Sequence, residues 1–339
     1  MKYWKKLAAV ALSACLVAGA AGCGTKTAED GTSQQAASDE NAITVYMPSP
    51  AGLSEKLAKD YEARTGVKVN LYQGTTGEIL ARLEAEKSHP AADVVVLASW
   101  SDGLSLKEKG DVEAYRPADA DQLVPAWLDA GGLIGYSASA VGVIYNKNVI
   151  PELSADWAEL ADPKYQGKLA IPDPEKSGAC KDFLAGYVTA KGWDALEGMA
   201  KNGMKVPGAN KAALEAVTTG EVGILVAGVD YNAYAAMKKG EPLAIYYPKS
   251  GTIVNPRPAM LMKAAPHKEQ AKKFLDYLCS ADAQKLVADA YLLPGRTDVP
   301  AKVTQLDNIP QITPDWSKMM KIAEETAKKL NDLCKGNKG

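Results

Sequence analysis

Short apolar runs alternate with helical patterns through the first third of the chain. Ile43–Met47, Val67–Tyr72 and Asp93–Leu97 each have the composition of a strand, and each is followed by a polar loop and by apolar residues at helical spacing. A strand-loop-helix unit that recurs in this way predicts an α/β fold with a parallel sheet covered by helices. In such folds, ligands bind beyond the carboxyl ends of the strands.

The loops after these three strands are rich in hydroxyl groups and glycine. They are Pro48–Gly52, Gly74–Gly77 and Ser99–Asp102. Turn formation and helix capping explain any one such loop, but three loops at one edge of a sheet indicate a ligand site. The candidate ligand-binding residues in and beside these loops are Ser49, Thr75, Thr76, Ser99 and Trp100. Trp100 either stacks on a ligand or shields the cleft.

Later strands divide the chain into two predicted lobes. Gly135–Tyr145 is rich in β-forming residues and is predicted to cross from the first lobe to the second, with the Ser137 hydroxyl as a candidate ligand contact. Thr252–Val254 is predicted to begin the return crossing. The predicted boundaries are 42–136 with 254–305 for the first lobe, and 137–253 with 306–335 for the second, which ends in an amphipathic helix.

The stretch Lys168–Phe183 carries the strongest local signal for a binding site. Leu169–Ile171 is a predicted strand that stops at Pro172, because proline has no N–H for a sheet. Ser177 is predicted to cap the helix that follows, and Gly178 leaves its first N–H groups open to approach. The positive end of a helix dipole favours anions. An ordinary capped helix after an ordinary strand is the alternative interpretation of this stretch.

Three further candidates follow from position in the predicted fold. Asp230 and Tyr231 come after the predicted buried strand Val222–Val226, and Arg257 lies just past the return crossing. Asp230 could receive a ligand ammonium group or stabilise a turn. Arg257 could clamp an anion or lie on the surface as an ordinary arginine, and Arg296 is a weaker candidate for the same role.

Composition and charge exclude several functional classes. The chain has 339 residues, 47% of them hydrophobic, and a net charge of −2, so it can bury two modest cores. No basic run interleaves with aromatic residues, which argues against nucleic acid as a partner. His89 and His267 lie in no motif with a nucleophile, and no phosphate-loop or G-x-S-x-G pattern is present, so an enzyme is not expected.

The N-terminus has the features of an export signal. A lysine-rich start and an apolar run precede small residues and Cys23, so residues 1–22 are predicted to be a lipoprotein signal peptide and Cys23 the lipidated residue. Residues 23–41 are polar and are predicted to be a flexible tether. Lipid attachment would hold the protein at the outer face of the cell membrane, whereas a plain cleaved signal would release it, for example into the periplasm.

Three cysteines remain after the signal. Cys279 and Cys334 could form a disulfide in an exported protein, or these two and Cys180 could be separate thiols. No C-x-x-C motif and no close group of histidines and cysteines suggests a metal site, and no cofactor is expected.

Segments spread over nearly the whole mature chain resemble the substrate-binding proteins of bacterial ABC importers, in the branch that contains ferric-ion, aminoethylphosphonate and hexose-phosphate binders. The matching segments are ITVY, VGVIYNKNVIP, DPKYQGKLAIPDPEKSG, GEVGILVAG, YPKSGT, APHKEQAKKFLDYLCSADAQ and LLPGRTDV. The resemblance implies a type II periplasmic-binding-protein fold, in which two α/β lobes joined by crossing strands close on a ligand and deliver it to a membrane permease. It also implies a protein that acts as a monomer.

The resemblance does not fix the ligand. Ferric binders of this branch usually carry an acidic or histidine ligand in the first lobe and a tyrosine pair after the strand corresponding to Val222–Val226. This chain has no histidine at Met47–Pro50 and has only Tyr231 at the second position, which weakens the case for iron. We therefore expect a small anionic ligand, a phosphonate or phosphate ester. A ferric ion or chelate is the alternative, and a ligand-sensing receptor without transport is the second alternative.

Overall fold

The structure of the protein is a computed structural model that describes residues 41–48, 50 and 52–336. The predicted signal peptide, Cys23, Ser49 and all of the predicted tether except its last residue, Asn41, lie outside the described residues. All described residues belong to one compact unit, Asp39–Gly339.

The predicted alternation of strands and helices is confirmed. The strands are β1 (Ala42–Met47), β2 (Lys68–Gln73), β3 (Val94–Val96), β4 (Val112–Glu113), β5 (Leu128–Asp129), β6 (Leu133–Asn146), β7 (Leu169–Ala170), β8 (Ile224–Val229), β9 (Leu243–Tyr246), β10 (Val254–Met262) and β11 (Leu293–Pro294). The α-helices are α1 (Leu53–Thr65), α2 (Thr76–Ala85), α3 (Trp100–Glu108), α4 (Gly178–Lys191), α5 (Asp194–Lys201), α6 (Asn210–Thr218), α7 (Asp230–Lys238), α8 (Lys268–Cys279), α9 (Ala281–Asp289) and α10 (Trp316–Lys335). Short 3-10 helices lie at Ala120–Gln122, Pro125–Trp127, Trp157–Ala161, Pro163–Tyr165 and Leu306–Asn308.

The strands form a mixed sheet in the order β2-β1-β3-β10-β6-β8-β7. Parallel pairing, as predicted, joins β1 to β2, β1 to β3, and β7 to β8. The long strands β6 and β10 add antiparallel pairs to β3, β8 and β9. Because β1, β3, β6, β8 and β10 are buried almost throughout, they carry continuous apolar or small residues, as strands covered on both faces do.

Two long strands connect the two ends of this sheet. The first half of β6 pairs with β10, β5 and β11, and its second half pairs with β8 and β9. Val254–Ala259 runs along β6, after which β10 continues beside β3 and β4. The predicted crossing strand Gly135–Tyr145 lies within β6. The return strand begins at Val254, and Thr252 forms an isolated bridge to Gln311 instead.

Two prolines, Pro256 and Pro258, lie within the central strand β10. Proline cannot donate to a sheet, so Pro258 in a strand flanked on both sides requires a local adjustment. The pairing of β10 with β6 shifts register between Arg257 and Pro258, and the Pro258 carbonyl accepts a hydrogen bond from Leu97 N at 3.1 Å. This irregularity places Arg257 at the point where β10 passes from β6 towards β3.

The C-terminal helix α10 is amphipathic, as predicted. Its buried stripe includes Met319, Ala323, Ala327 and Leu330. The helix contacts α4 and α5, and it also contacts α3. It therefore links α3, which follows β3, to α4 and α5, which follow β7. No helix in the described part of the chain is long and apolar enough to span a membrane.

Buried charges tie α3 to α4 beneath α10. Lys181 Nζ contacts Asp102 Oδ1 at 2.7 Å, with side chains only 5% and 8% exposed, and Glu324 Oε1 at 2.8 Å. Burial alone would lower the pKa of Lys181, but Asp102 and Glu324 raise it above its ordinary value. Lys181 is therefore charged, and its loss would leave the buried Asp102 without its cationic partner.

We predict that Lys181→Met destabilises the protein by about 3 kcal/mol, because removing one partner of a buried ion pair leaves the other uncompensated. Denaturant unfolding monitored by circular dichroism measures this loss. Lys328→Met, which removes the exposed pair with Asp332, is the control and should leave the stability almost unchanged, because solvent screens an exposed pair. A loss below about 1 kcal/mol in Lys181→Met would contradict the prediction.

Candidate functional site

A cavity of about 1080 Å³ lies where the carboxyl ends of several strands meet. Its wall includes residues that follow β1, β2 and β3 and residues that follow β7 and β8. Six of the residues predicted from sequence line it: Thr75, Thr76, Ser177, Gly178, Tyr231 and Arg257. The structure thus brings together candidates that are up to 182 positions apart, from Thr75 to Arg257.

The N-terminus of α4 forms one wall of the cavity. Ser177 is the N-cap, as predicted, and its Oγ accepts a hydrogen bond from Cys180 N at 3.2 Å. The same hydroxyl donates to Asn210 Oδ1 at 2.8 Å. Ser177 is therefore occupied by protein partners. Because Cys180 N donates to this cap, the groups that remain for an anion are the other backbone N–H groups of the first turn, which have no intrahelical partner.

Two glycines allow the loops of the two walls to touch. A Cβ at Gly178 would lie 2.8 Å from Ser99 Cβ and 2.9 Å from Thr76 Oγ1. A Cβ at Gly77 would lie 2.6 Å from the Glu175 carbonyl oxygen. All three distances are shorter than the contacts that Cβ atoms make in folded proteins, so a side chain at either position would push the walls apart.

Arg257 is buried in the cavity wall with only 1% of its surface exposed. Its Nη2 donates to the Pro48 carbonyl oxygen, and its Nε has no hydrogen-bond partner. The guanidinium carbon lies 5.9 Å from the centre of the Tyr231 ring. Burial raises the pKa of Tyr231 and the positive charge of Arg257 opposes that rise, so Tyr231 is a neutral phenol beside a buried cation.

Ser99 and Trp100 do not line the cavity. Ser99 Oγ accepts from Asp102 N at 3.0 Å and donates to Asp182 Oδ1 at 3.0 Å. Trp100 begins α3 rather than lying in the loop before it. Its N–H donates to Asp182 Oδ2 at 2.7 Å, and its ring packs 6.4 Å from that of Trp316. These residues hold α3 against α4 and α10.

Asp230 also points away from the cavity. The strand before it runs to Val229 instead of ending at Val226, so α7 begins at Asp230 without a loop. The buried carboxyl accepts from Ala140 N at 3.2 Å, Tyr231 N at 2.8 Å and Tyr247 OH at 3.1 Å. Burial raises its pKa to about 7. In this structure Asp230 fastens α7 to β6 and does not line the cavity, so it is not placed to receive a ligand ammonium group there.

Ser137 is buried in β6, directly opposite Arg257, and its hydroxyl has no partner among the described residues. It is not among the residues that line the cavity. Arg296, the weaker candidate, is held by Asp119 and Asp298 outside the cavity.

Sequence reasoning missed several polar residues in the cavity wall. These are Gln73, Glu78, Lys176, Asn210, Lys211, Glu215, Thr218, Thr219, Asn232, Lys239 and Glu241. Asn210 opens α6 and contacts the cap of α4, a relation over 33 positions that no local pattern reveals. The sequence does hold a signal for Lys176 as a residue of the cavity wall, because it immediately precedes the predicted cap Ser177. The lysines and glutamates of this set are all exposed, so solvent screens their charges.

The described residues contain no cluster of three or more histidine, cysteine, aspartate or glutamate side chains that could hold a metal ion. Tyr231 is the one tyrosine among the described residues that line the cavity. The Tyr246 hydroxyl donates to the Ala155 carbonyl oxygen at 2.7 Å, so it makes a structural contact. Cys180, Cys279 and Cys334 are free thiols.

Comparisons with known proteins agree with this architecture. The family model described as bacterial extracellular solute-binding protein matches residues 90–321. The chain is 28% identical over 281 residues to iron uptake protein A1 of Synechocystis sp., covering 77% of this chain and 78% of that protein. It is 27% identical over 309 residues to a putative 2-aminoethylphosphonate-binding periplasmic protein of Salmonella paratyphi A, covering 82% and 88%.

The fold is also similar to that of a solved structure. The periplasmic binding protein AfuA of Actinobacillus pleuropneumoniae, determined with fructose 6-phosphate bound, superposes with a TM-score of 0.79 at 22% identity. The match covers 87% of this chain and 98% of AfuA. The predicted type II periplasmic-binding-protein fold is therefore confirmed.

We predict that the protein is more stable in mild acid than in mild base. Burial raises the pKa of both Asp182 and Asp230 from 3.8 to about 7. The folded state then holds these protons more tightly than the unfolded state, so their contribution to stability is lost as pH rises from about 4 through 7. Calorimetry at pH 5.0 and 8.0 should give a lower melting temperature at pH 8.0.

The variant Asp230→Asn should reduce this difference in melting temperature, because an amide does not titrate in this range. Asp332→Asn is the matched control, since the pKa of Asp332 is lowered by Lys328 and the group stays ionised from pH 5 to 8. An equal pH dependence in wild type and Asp230→Asn would contradict the assignment.

Proposed function

Because the chain belongs to the bacterial extracellular solute-binding proteins, the ligand-capturing components of ABC importers, we propose that its cavity captures a small anionic ligand carrying a phosphonate or phosphate ester. The two sets of strands at either side of β6 and β10 would act as two lobes that close on this ligand. The closed complex would then deliver the ligand to a membrane permease.

The buried guanidinium of Arg257, which has no carboxylate partner among the described residues, is the observation that carries this proposal. A buried cation without an anionic partner is costly, and its Nε still lacks an acceptor. The positive end of α4 adds backbone donors to the same cavity. Each charge-assisted hydrogen bond contributes about 1.5–3 kcal/mol, so three or four are sufficient for micromolar affinity after the cost of ordering.

The remaining features of the proposal concern the protein's place in the cell. We propose a monomeric binding protein without catalytic activity, anchored by a lipid on Cys23 at the outer face of the membrane. Its relatives are binding proteins of transporters. The free thiols are buried or partly buried, and burial raises their pKa values, which disfavours the reactive thiolate.

A ferric ion or ferric chelate is the second candidate ligand, because one relative is named an iron uptake protein. A ferric ion requires several converging anionic oxygens. The cavity offers Tyr231, whose raised pKa keeps it protonated, beside the positive charge of Arg257. These neighbours favour an anion over a highly charged cation.

A thermal-shift screen distinguishes the two candidates. A ligand that binds only the folded state raises the melting temperature by mass action. We expect a rise with propylphosphonate or glucose 6-phosphate and none with ferric citrate. Stabilisation by ferric citrate alone would overturn the anion assignment.

We predict that Gly178→Ala raises the dissociation constant for such an anion at least about tenfold, because the added methyl group separates the walls that donate to it. Titration calorimetry measures the change. Gly336→Ala is the matched control, since its Cβ would meet nothing closer than 3.6 Å and its φ is negative. Unchanged affinity in a folded Gly178→Ala protein would exclude the first turn of α4 from the site.

A further inference from the structure

A second cavity, of about 570 Å³, shares no lining residue with the first cavity, which Arg257 and Gly178 line. Its wall is formed by α2, α3, the segment that leads into β3 and the end of β10, and one residue of α10 completes it. A volume of this size is typical of pockets that bind small molecules. The apolar side chains of the wall are Leu80, Leu83, Pro90, Ala91, Ala92, Leu106, Met262 and Ala264.

The carboxyl group of Asp102 belongs to the wall of the second cavity, in the first turn of α3. Its side chain is only 8% exposed. One of its oxygens, Oδ1, pairs with Lys181 Nζ at 2.7 Å, and the other, Oδ2, is buried and has no hydrogen-bond partner among the described residues. An unsatisfied buried acceptor costs free energy, so a ligand that donates to Asp102 Oδ2 would recover this cost.

Carboxyl groups outnumber cations at this end of the second cavity. Lys181 is shared between Asp102 and Glu324, which also lines the cavity and whose Oε1 lies 2.8 Å from Lys181 Nζ. Asp182, the next residue of α4, is fully buried as well. Burial, and after it the negative charge of Asp102, raises the pKa of Asp182 to about 7. The single charge of Lys181 therefore leaves the surroundings of Asp102 negative.

The other acids of the wall have partners or face water. Glu84 pairs with Lys87 at 3.5 Å, and both side chains are exposed. Glu86 accepts a hydrogen bond from Arg82 Nε at 2.7 Å, and Asp111 is partly exposed. The lysines of the wall are all exposed, so water screens their charges. The buried charge in the wall of the second cavity is thus located at Asp102.

We propose that the second cavity binds an organic amine, whose ammonium group donates to Asp102 Oδ2 and whose apolar body packs between α2 and α3. An ammonium group fits this position because it carries several donors and the charge opposite to that of its surroundings. An anionic group at the same position would meet Asp102 and Glu324. This site is separate from the one in the proposed function, so each can fail without the other.

Three compounds with one phenylethyl body test the inference by titration calorimetry. They are 2-phenylethylamine, 2-phenylethanol and 3-phenylpropionate, which carry an ammonium, a hydroxyl and a carboxylate. We expect the amine to bind one-to-one and at least about tenfold tighter than the alcohol, because its hydrogen bond to a carboxylate is charge-assisted. The carboxylate should bind most weakly. Equal affinity for amine and alcohol, tighter binding of 3-phenylpropionate, or no saturable binding of the amine overturns the inference.

Two variants of one cavity locate the ammonium group. In Asp102→Asn, 2-phenylethylamine should lose its advantage over 2-phenylethanol. Asp111→Asn is the matched control, because Asp111 lines the same cavity beyond the other end of α3, and it should keep the wild-type ratio of affinities. Retention of the full ratio in folded Asp102→Asn, or its loss in Asp111→Asn, overturns the assignment.

A second pair of variants keeps the test decisive if Asp102→Asn, which breaks a buried ion pair, does not fold. Ser105→Trp places a large side chain at a half-buried position of the second cavity and should abolish binding of the amine and the alcohol. Thr218→Trp makes a similar change at a half-buried position of the first cavity and should leave amine binding unchanged. Full amine binding by folded Ser105→Trp, or its loss in folded Thr218→Trp, overturns the inference.

Discussion

The pairing of β6 with β10 is the constraint on which the rest of the structure depends. Both strands are buried along nearly their whole length. In the sheet they lie between β1, β2 and β3 on one side and β7 and β8 on the other. A polar side chain on such a pair must find a partner or remain costly. Arg257, Ser137, Ser139 and Asn255 on this pair each have a buried polar atom without a hydrogen-bond partner among the described residues. They lie where only an interior partner or a ligand could satisfy them.

The first turn of α4 is the second fixed point, and side chains far apart in sequence hold it. Asp182 accepts from Ser99 Oγ and Trp100 N, while Lys181 pairs with Asp102. These contacts press the start of α4 against the start of α3, and Gly178 removes the side chain that would prevent it. The same contacts leave the backbone donors of the turn at the cavity. The rigidity of this turn and the anion binding that we propose for it thus have a common origin.

Local sequence patterns were sufficient to predict the main strands and helices and six of the residues that line the cavity. Strand periodicity, the proline stops and the Ser177 cap are properties of neighbouring residues, and the structure confirms them. Asp230 and Trp100 lie outside the cavity wall, where they contact residues that are distant in sequence: Ala140 and Tyr247 for Asp230, and Asp182 and Trp316 for Trp100. The boundary of β8 mattered as well, since three extra residues turned a predicted loop into the start of α7. Long-range hydrogen bonds decide which way a polar side chain points, and no local period encodes them.

The hydroxyl groups of the loops after the strands serve mainly as helix caps. Thr75, Ser99 and Ser177 each accept a backbone N–H of the helix that they begin. Capping orients the helix, and the helix then presents its own free donors to the cavity. The loop hydroxyls therefore specify the shape of the site, whereas its selectivity depends on the few buried side chains that caps do not use. In this chain the buried charged side chain that no cap uses is Arg257, and the proposal of an anionic ligand rests on its fixed positive charge in the cavity wall.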